Sequence, residues 1–184
     1  MRHFFILGNG HSGSSLFRGL MNMHSQIDCE FENFTDNNVT EQITKWKNKR
    51  DDCKIIYGNK VPLEQFLGRG WTDEDIIKIA DEGFYILWLQ RRFSRYNEVT
   101  NNEIQTQEYK KNWDAGRTLY WKLKEKFPTQ VLEISFEDLL SQTEIELIRV
   151  CYFLGINYEE KMLQGCNYTG FKKYNQGTIN KERI

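Results

Sequence analysis

A short apolar run that breaks into glycine and serine, then restarts as an amphipathic segment, constrains the front of this chain. Phe4-Phe5-Ile6-Leu7 leads into Gly8-Asn9-Gly10-His11-Ser12-Gly13-Ser14-Ser15, after which Leu16, Phe17, Leu20 and Met21 recur at helical spacing. That order predicts a buried strand, a tight turn and a helix. Unpaired N–H groups and the helix dipole at such a helix start favour an anion. Strand-like and helix-like patterns then alternate to near the end. Strands are expected at 4–7, 27–31, 53–57 (CKIIY), 84–89 (FYILWL) and 130–134. Helices are expected at 14–24, 41–48, 72–81, 103–126 (interrupted at Gly116) and 143–154, the last ending at Gly155. The alternation implies an α/β fold, a mostly parallel sheet flanked by helices.

With 184 residues and no linker or repeat, the sequence predicts one domain over 1–184. Lys plus Arg number 25 against 26 Asp plus Glu, a net charge of −1, so an anion site must be local. This balance argues against nucleic acid and against an anionic membrane surface as partners. Cys29, Cys53, Cys151 and Cys166 are widely spaced, with no C-x-x-C pair and no clustered histidine. They read as reduced thiols, not as a metal site or a disulfide scaffold. The first apolar run is too short for a signal peptide or a membrane span, and the expected location is cytoplasmic.

In open parallel sheets ligands bind beyond the carboxyl ends of the strands. After the first strand, Gly8-Asn9-Gly10-His11-Ser12-Gly13 spells G-x-G-x-x-G, a dinucleotide pattern. The same stretch fits G-x-x-x-x-G-K-[ST] except that Ser14 stands where the lysine would be. After the second strand come Glu30 and Glu32, which strict alternation would place on one face. Such an acid suits a general base or, in a dehydrogenase, a ribose hydroxyl. Gly58-Asn59-Lys60-Val61-Pro62 follows the third strand, offering a lysine between a strand end and a stiffened turn. Gln90-Arg91-Arg92 follows the fourth, and Thr100 lies eight residues beyond Arg92. Paired guanidinium groups suit a planar anion such as phosphate, or a basic surface turn facing Glu98.

Taken together, these pieces resemble the PAPS-dependent sulfotransferases, closest to their carbohydrate and tyrosylprotein branch. GNGHSGSSLFRGLMNMHSQI is similar to the 5′-phosphosulfate loop, its helix and the following x-x-H-P ending, here Met23-His24-Ser25. Cys29-Glu30-Phe31-Glu32 is similar to a C-G-E-E segment whose second glutamate is the base, and Asn59-Lys60-Val61-Pro62 to an N-K-x-P segment. Arg92 and Thr100 match an arginine and serine that grip a 3′-phosphate; VLEISFEDLL with Phe153–Ile156 resembles the Y-E-D-L and F-L-G tail. The resemblance spans residues 3 to 157. His11 departs from the usual Arg or Lys of the loop, Thr100 replaces Ser, and the C-terminal G-x-x-G-x-W-K loop is not recognisable. Lys172, Lys173, Lys181 and Arg183 are the basic residues left to replace it.

The resemblance implies a P-loop-like sulfotransferase fold and a sulfuryl transfer from 3′-phosphoadenosine 5′-phosphosulfate (PAPS), leaving PAP, to a hydroxyl on a carbohydrate, a small alcohol or a tyrosine. It assigns the donor to Asn9, Gly10, His11, Ser12, Gly13, Ser14, Ser15, Arg92 and Thr100, with Arg91 as the alternative arginine. It makes Glu32 the base, with Lys60 and His11 stabilising charge and no metal. A sulfuryl group carries less charge than a γ-phosphoryl, which accounts for the missing lysine of the loop. The competing readings are a small Rossmann NAD(P)-binding oxidoreductase and a catalytically inactive sulfotransferase-like binding module.

Overall fold

Strand β1 (Arg2–Gly8) is apolar on both faces, so it can be stable only at the centre of a covered sheet. The computed structural model describes residues 2–35, 38–49, 54–94 and 103–167. In it β1 pairs in parallel with β3 (Ile56–Pro62) on one side and β4 (Tyr85–Gln90) on the other. β2 (Ile27–Phe31) and β5 (Val131–Ser135) form the edges, giving a five-stranded sheet in the order β2-β3-β1-β4-β5. Every pairing is parallel, as the alternation of elements requires.

Helices cover both faces. Phe4 and Ile6 point into a core shared with α1 (Ser14–Asn22), α6 (Phe136–Ser141) and α7 (Thr143–Leu154), which contributes Leu147, Val150 and Leu154. Phe5 and Leu7 point the other way, toward α2 (Val39–Asn48), α3 (Leu63–Gly68), α4 (Asp73–Asp81) and α5 (Glu103–Lys126). Phe4, Phe5 and Phe17 are essentially fully buried, and burying such a side chain contributes about 2–3 kcal/mol. A 3-10 helix, Glu160–Asn167, packs against α1 after the chain leaves α7. No helix among the described residues is long and apolar enough to cross a membrane.

Local signals fix several boundaries. Thr72 and Asp75 form a reciprocal capping box that starts α4, and Gly155 at φ 66° ends α7. Two expectations differ. β3 does not stop at Gly58 but runs on to Pro62, because Gly58 lies under the Phe4 ring, where a Cβ would collide. Lys60 is therefore a strand residue, in register with Ile6 and Phe31, and not part of a loop. Nor does α5 break at Gly116: the helix is continuous, and the missing Cβ lets it approach the Asn9 side chain. Cys53 and the C-terminal basic residues lie outside the described residues. Burial pushes the Cys29 thiol far up and that of Cys151 to about 11, so both remain protonated.

Candidate active site

The chain order reverses around β1, and the turn leaving β1 is the loop of Gly8 to Ser15. His11 takes left-handed backbone at φ 60° and Gly13 at φ 90°, which curl the loop before α1 begins at Ser14. Gly13 is required twice over, since a Cβ there would overlap the Phe136 ring. Inside the loop the Ser12 hydroxyl and the Asn9 side-chain nitrogen are buried without a hydrogen-bond partner. Such a group costs about 1–3 kcal/mol when unsatisfied, so two at one turn fit a site for an anionic ligand. Ser14 is buried and Ser15 half-buried at the helix start, where backbone N–H groups are free of intrahelical partners. The His11 ring is exposed and stands 5.4 Å from that of Tyr109 on α5.

Next to the loop lies a buried ion pair. Lys60 Nζ donates to Glu32 Oε1 at 2.7 Å, with the two side chains 4% and 18% exposed. Lys60 also stands 4.4 Å above the Phe31 ring, its register partner across β2 and β3. Glu32 lies just past β2 with φ 50°, and its amide donates to the Lys60 carbonyl at 2.9 Å. This left-handed residue departs from strand alternation and turns its carboxylate to Lys60. Glu30, still inside β2, bonds instead to Lys49 and accepts from Asn33 Nδ2 at 2.7 Å. The two acids therefore have separate partners. Asn59 secures the segment after Glu32 by bonding both backbone groups of Asn33.

Residues that sequence reasoning did not single out complete the surroundings. The first turn of α3 sends Gln65 to Glu32 Oε2 and Glu64 to the loop, where the Gly10 N–H donates to both carboxylate oxygens at 2.9 Å. Their one sequence signal was adjacency to the Asn59–Pro62 segment. Arg91 returns to the loop, its Nη1 donating to the His11 carbonyl at 3.3 Å, while its guanidinium lies 4.9 Å over Phe136. Arg92 faces outward, with its backbone N–H donating to Glu137. Thr100 lies outside the described residues. Beyond Arg91 a small cleft is lined by Asn9, Gln90, Trp113 and Arg117. Arg117 donates to Gln90 and Glu133, and the Trp113 indole to the Arg91 carbonyl. Nothing local in the long α5 sequence marks these two residues. Burial and the carboxylates Glu64 and Glu108 hold the Tyr109 hydroxyl above its ordinary pKa.

No protein-family model matches the sequence, and no curated protein matches it. Solved structures do. One is the sulfotransferase domain of the Synechococcus PCC 7002 olefin synthase, at TM-score 0.64 and 14% identity over 89% of this chain and 77% of that one. Another is mouse sulfotransferase SULT7A1 complexed with PAP, at TM-score 0.56 and 12% identity over 94% of this chain and 65% of that one. A third is a sulfotransferase from Alicyclobacillus acidocaldarius, at TM-score 0.52 and 18% identity over 89% of each. With its parallel sheet, its glycine–serine turn after the central strand and these neighbours, the chain has the sulfotransferase fold.

Proposed function

We propose that this protein is a cytoplasmic sulfotransferase that moves a sulfuryl group from PAPS to an acceptor hydroxyl, on a carbohydrate, a small alcohol or a tyrosine. The observation that carries the reading is the buried Lys60–Glu32 pair at 2.7 Å, set beside a loop whose buried Ser12 hydroxyl has no protein partner. A loop that only shaped the fold would not need to bury an unsatisfied hydroxyl, and a buried pair at a strand end is costly without a task.

In this reading the loop amides from Asn9 to Ser15, with the hydroxyls of Ser12, Ser14 and Ser15, hold the 5′-phosphosulfate. Arg92 and Thr100 hold the 3′-phosphate, or Arg91 does so, since its guanidinium already reaches the loop. Glu32 takes the proton of the acceptor hydroxyl as the new O–S bond forms and the bond from sulfur to the 5′-phosphate oxygen breaks. Lys60 stabilises charge on the sulfuryl and leaving oxygens, with the His11 ring as a second donor. Lys60 holds the Glu32 carboxylate, and a donor that attracts the ammonium would free that carboxylate for the acceptor hydroxyl.

The test is the shift in melting temperature with adenosine 3′,5′-bisphosphate beside AMP, ATP–Mg²⁺ and NAD⁺ at equal concentration. A shift with the bisphosphate and none with AMP supports a 3′-phosphate pocket. A shift with NAD⁺ alone would replace the reading by a dinucleotide one. In the same assay Glu32→Gln should keep the bisphosphate shift while losing transfer by at least about a hundredfold.

A further inference from the structure

The proposed transfer leaves Glu64 unexplained. An acidic side chain sits in a loop whose form suits anions, and both its oxygens lie 2.9 Å from the Gly10 amide. Two residues after β3 ends at Pro62, the start of α3 holds it there, while the adjacent Gln65 holds the base Glu32. The Gly10 amide thus already serves an anion that belongs to the protein. Where the G-x-x-x-x-G-K-[ST] pattern has a lysine, this loop has Ser14. The nearest buried cation, Lys60, is paired with Glu32. The loop therefore gains a negative charge at Gly10 and lacks the lysine of that pattern, and the cation at its edge is the Arg91 guanidinium on the His11 carbonyl.

We infer that Glu64 sets which donor the loop accepts, favouring a group beyond the 5′-phosphate that carries one negative charge over one that carries two. The inference rests on the sulfuryl-donor reading above. Sulfuryl and phosphoryl groups have nearly the same size and tetrahedral shape, so a backbone loop alone separates them poorly. They differ in charge. Any group that reaches the Gly10 amide must either take its N–H from Glu64 or lie beside that carboxylate. Both routes cost more for a dianion, and the half-buried setting limits screening. Glu64 is a specificity-determining residue in this account and takes no proton.

Equilibrium titrations of the full chain with three ligands test the inference. The ligands are PAPS, adenosine 3′-phosphate 5′-diphosphate with a phosphoryl in place of the sulfuryl, and adenosine 3′,5′-bisphosphate with neither. The wild type should bind PAPS at least about tenfold more tightly than its phosphoryl counterpart. Glu64→Gln should reduce that preference to within about threefold, chiefly by strengthening phosphoryl binding, and the bisphosphate, whose 5′-phosphate is also doubly charged, should not weaken. Glu64→Asp keeps the charge and should keep the preference. An unchanged preference in Glu64→Gln would overturn the inference, as would an equal weakening of all three ligands, the mark of a merely structural tether. Loss of the preference in Glu64→Asp would assign it to the hydrogen bond and overturn the charge argument. If the wild type did not bind the bisphosphate at all, the sulfuryl-donor reading would fall, and the filter with it.

Discussion

At the carboxyl end of the strands two non-glycine residues, His11 and Glu32, hold left-handed backbone at φ 60° and 50°. At the amino end left-handed backbone falls on glycines, Gly83 at 89° and Gly155 at 66°. Polar groups differ in the same sense. At the amino end His24 uses both ring nitrogens, donating to the Asn157 carbonyl at 2.8 Å and accepting from the Gln26 amide at 3.0 Å. Ser25 gives its amide and hydroxyl to Glu159, and Arg2 closes the α7 terminus by donating to the Leu154 and Gly155 carbonyls. At the carboxyl end Ser12 and Asn9 keep buried atoms without partners, and a lysine is buried against a carboxylate. Strain and unmet polar groups each cost stability, and they persist where the surrounding fold overdetermines them. At the amino end these bonds close the fold on itself, although the Tyr158 hydroxyl there is also buried without a hydrogen-bond partner. At the carboxyl end the left-handed residues, the unpartnered loop groups and the buried ion pair fall together, as the proposed donor site would require.

The largest expected effect comes from Lys60→Met, which leaves Glu32 in a partly buried site without its cation. Stability should fall by about 3 kcal/mol, read as a lower urea midpoint with an unchanged slope, and transfer should be lost. A change below about 0.5 kcal/mol would mean that the pair is solvated and that the two ends do not differ as described. Ser12→Ala should act in the opposite direction. Removing an unpartnered buried hydroxyl should leave stability unchanged or raise it by up to about 1 kcal/mol, while weakening the bisphosphate in titration. A clear loss of stability would show that the hydroxyl already has a partner. The smallest effect belongs to the amino end. Burial opposes ionisation of Glu159, but the Ser25 hydroxyl and amide, Lys161 and His24 outweigh it and lower its pKa from 4.5 to about 2. Its contribution is therefore present above about 4.5 and lost as pH falls toward 2. Glu159→Gln should flatten the acid limb of the stability profile in that window and leave bisphosphate binding unaltered.

The elements read most directly from sequence are those whose cause is local. FYILWL and FFIL are continuous apolar runs, and each became a strand buried on both faces. The Thr72 cap depends on residues three apart and is equally legible. Gly58 and Gly116 misled because glycine has two meanings. A chain stop and a close approach look alike until the partner, Phe4 or Asn9, is in place. Lys60 looked like a loop lysine because burying an ammonium is reasonable only with a counter-charge, and that charge comes from another strand. Glu64 was passed over for a related reason: its partner, the Gly10 amide, lies 54 residues away in sequence.

By itself the sequence determined the order of the five strands and of the longer helices, the glycine–serine turn after β1, and the presence of acids after β2 and arginines after β4, but not the short helices α3 and α6. Periodicity, turn residues and caps act over a few residues, so those features needed no fold to be read. Which acid meets the lysine was decided only by the tertiary structure. Parallel register sets Phe31 beside Lys60, and the left-handed turn at Glu32 brings that carboxylate, and not Glu30, within 2.7 Å of the ammonium. The short α3 likewise delivers Glu64 and Gln65 to two different partners. Contacts of this kind join residues far apart in the chain, and no local pattern encodes them until the sheet has formed.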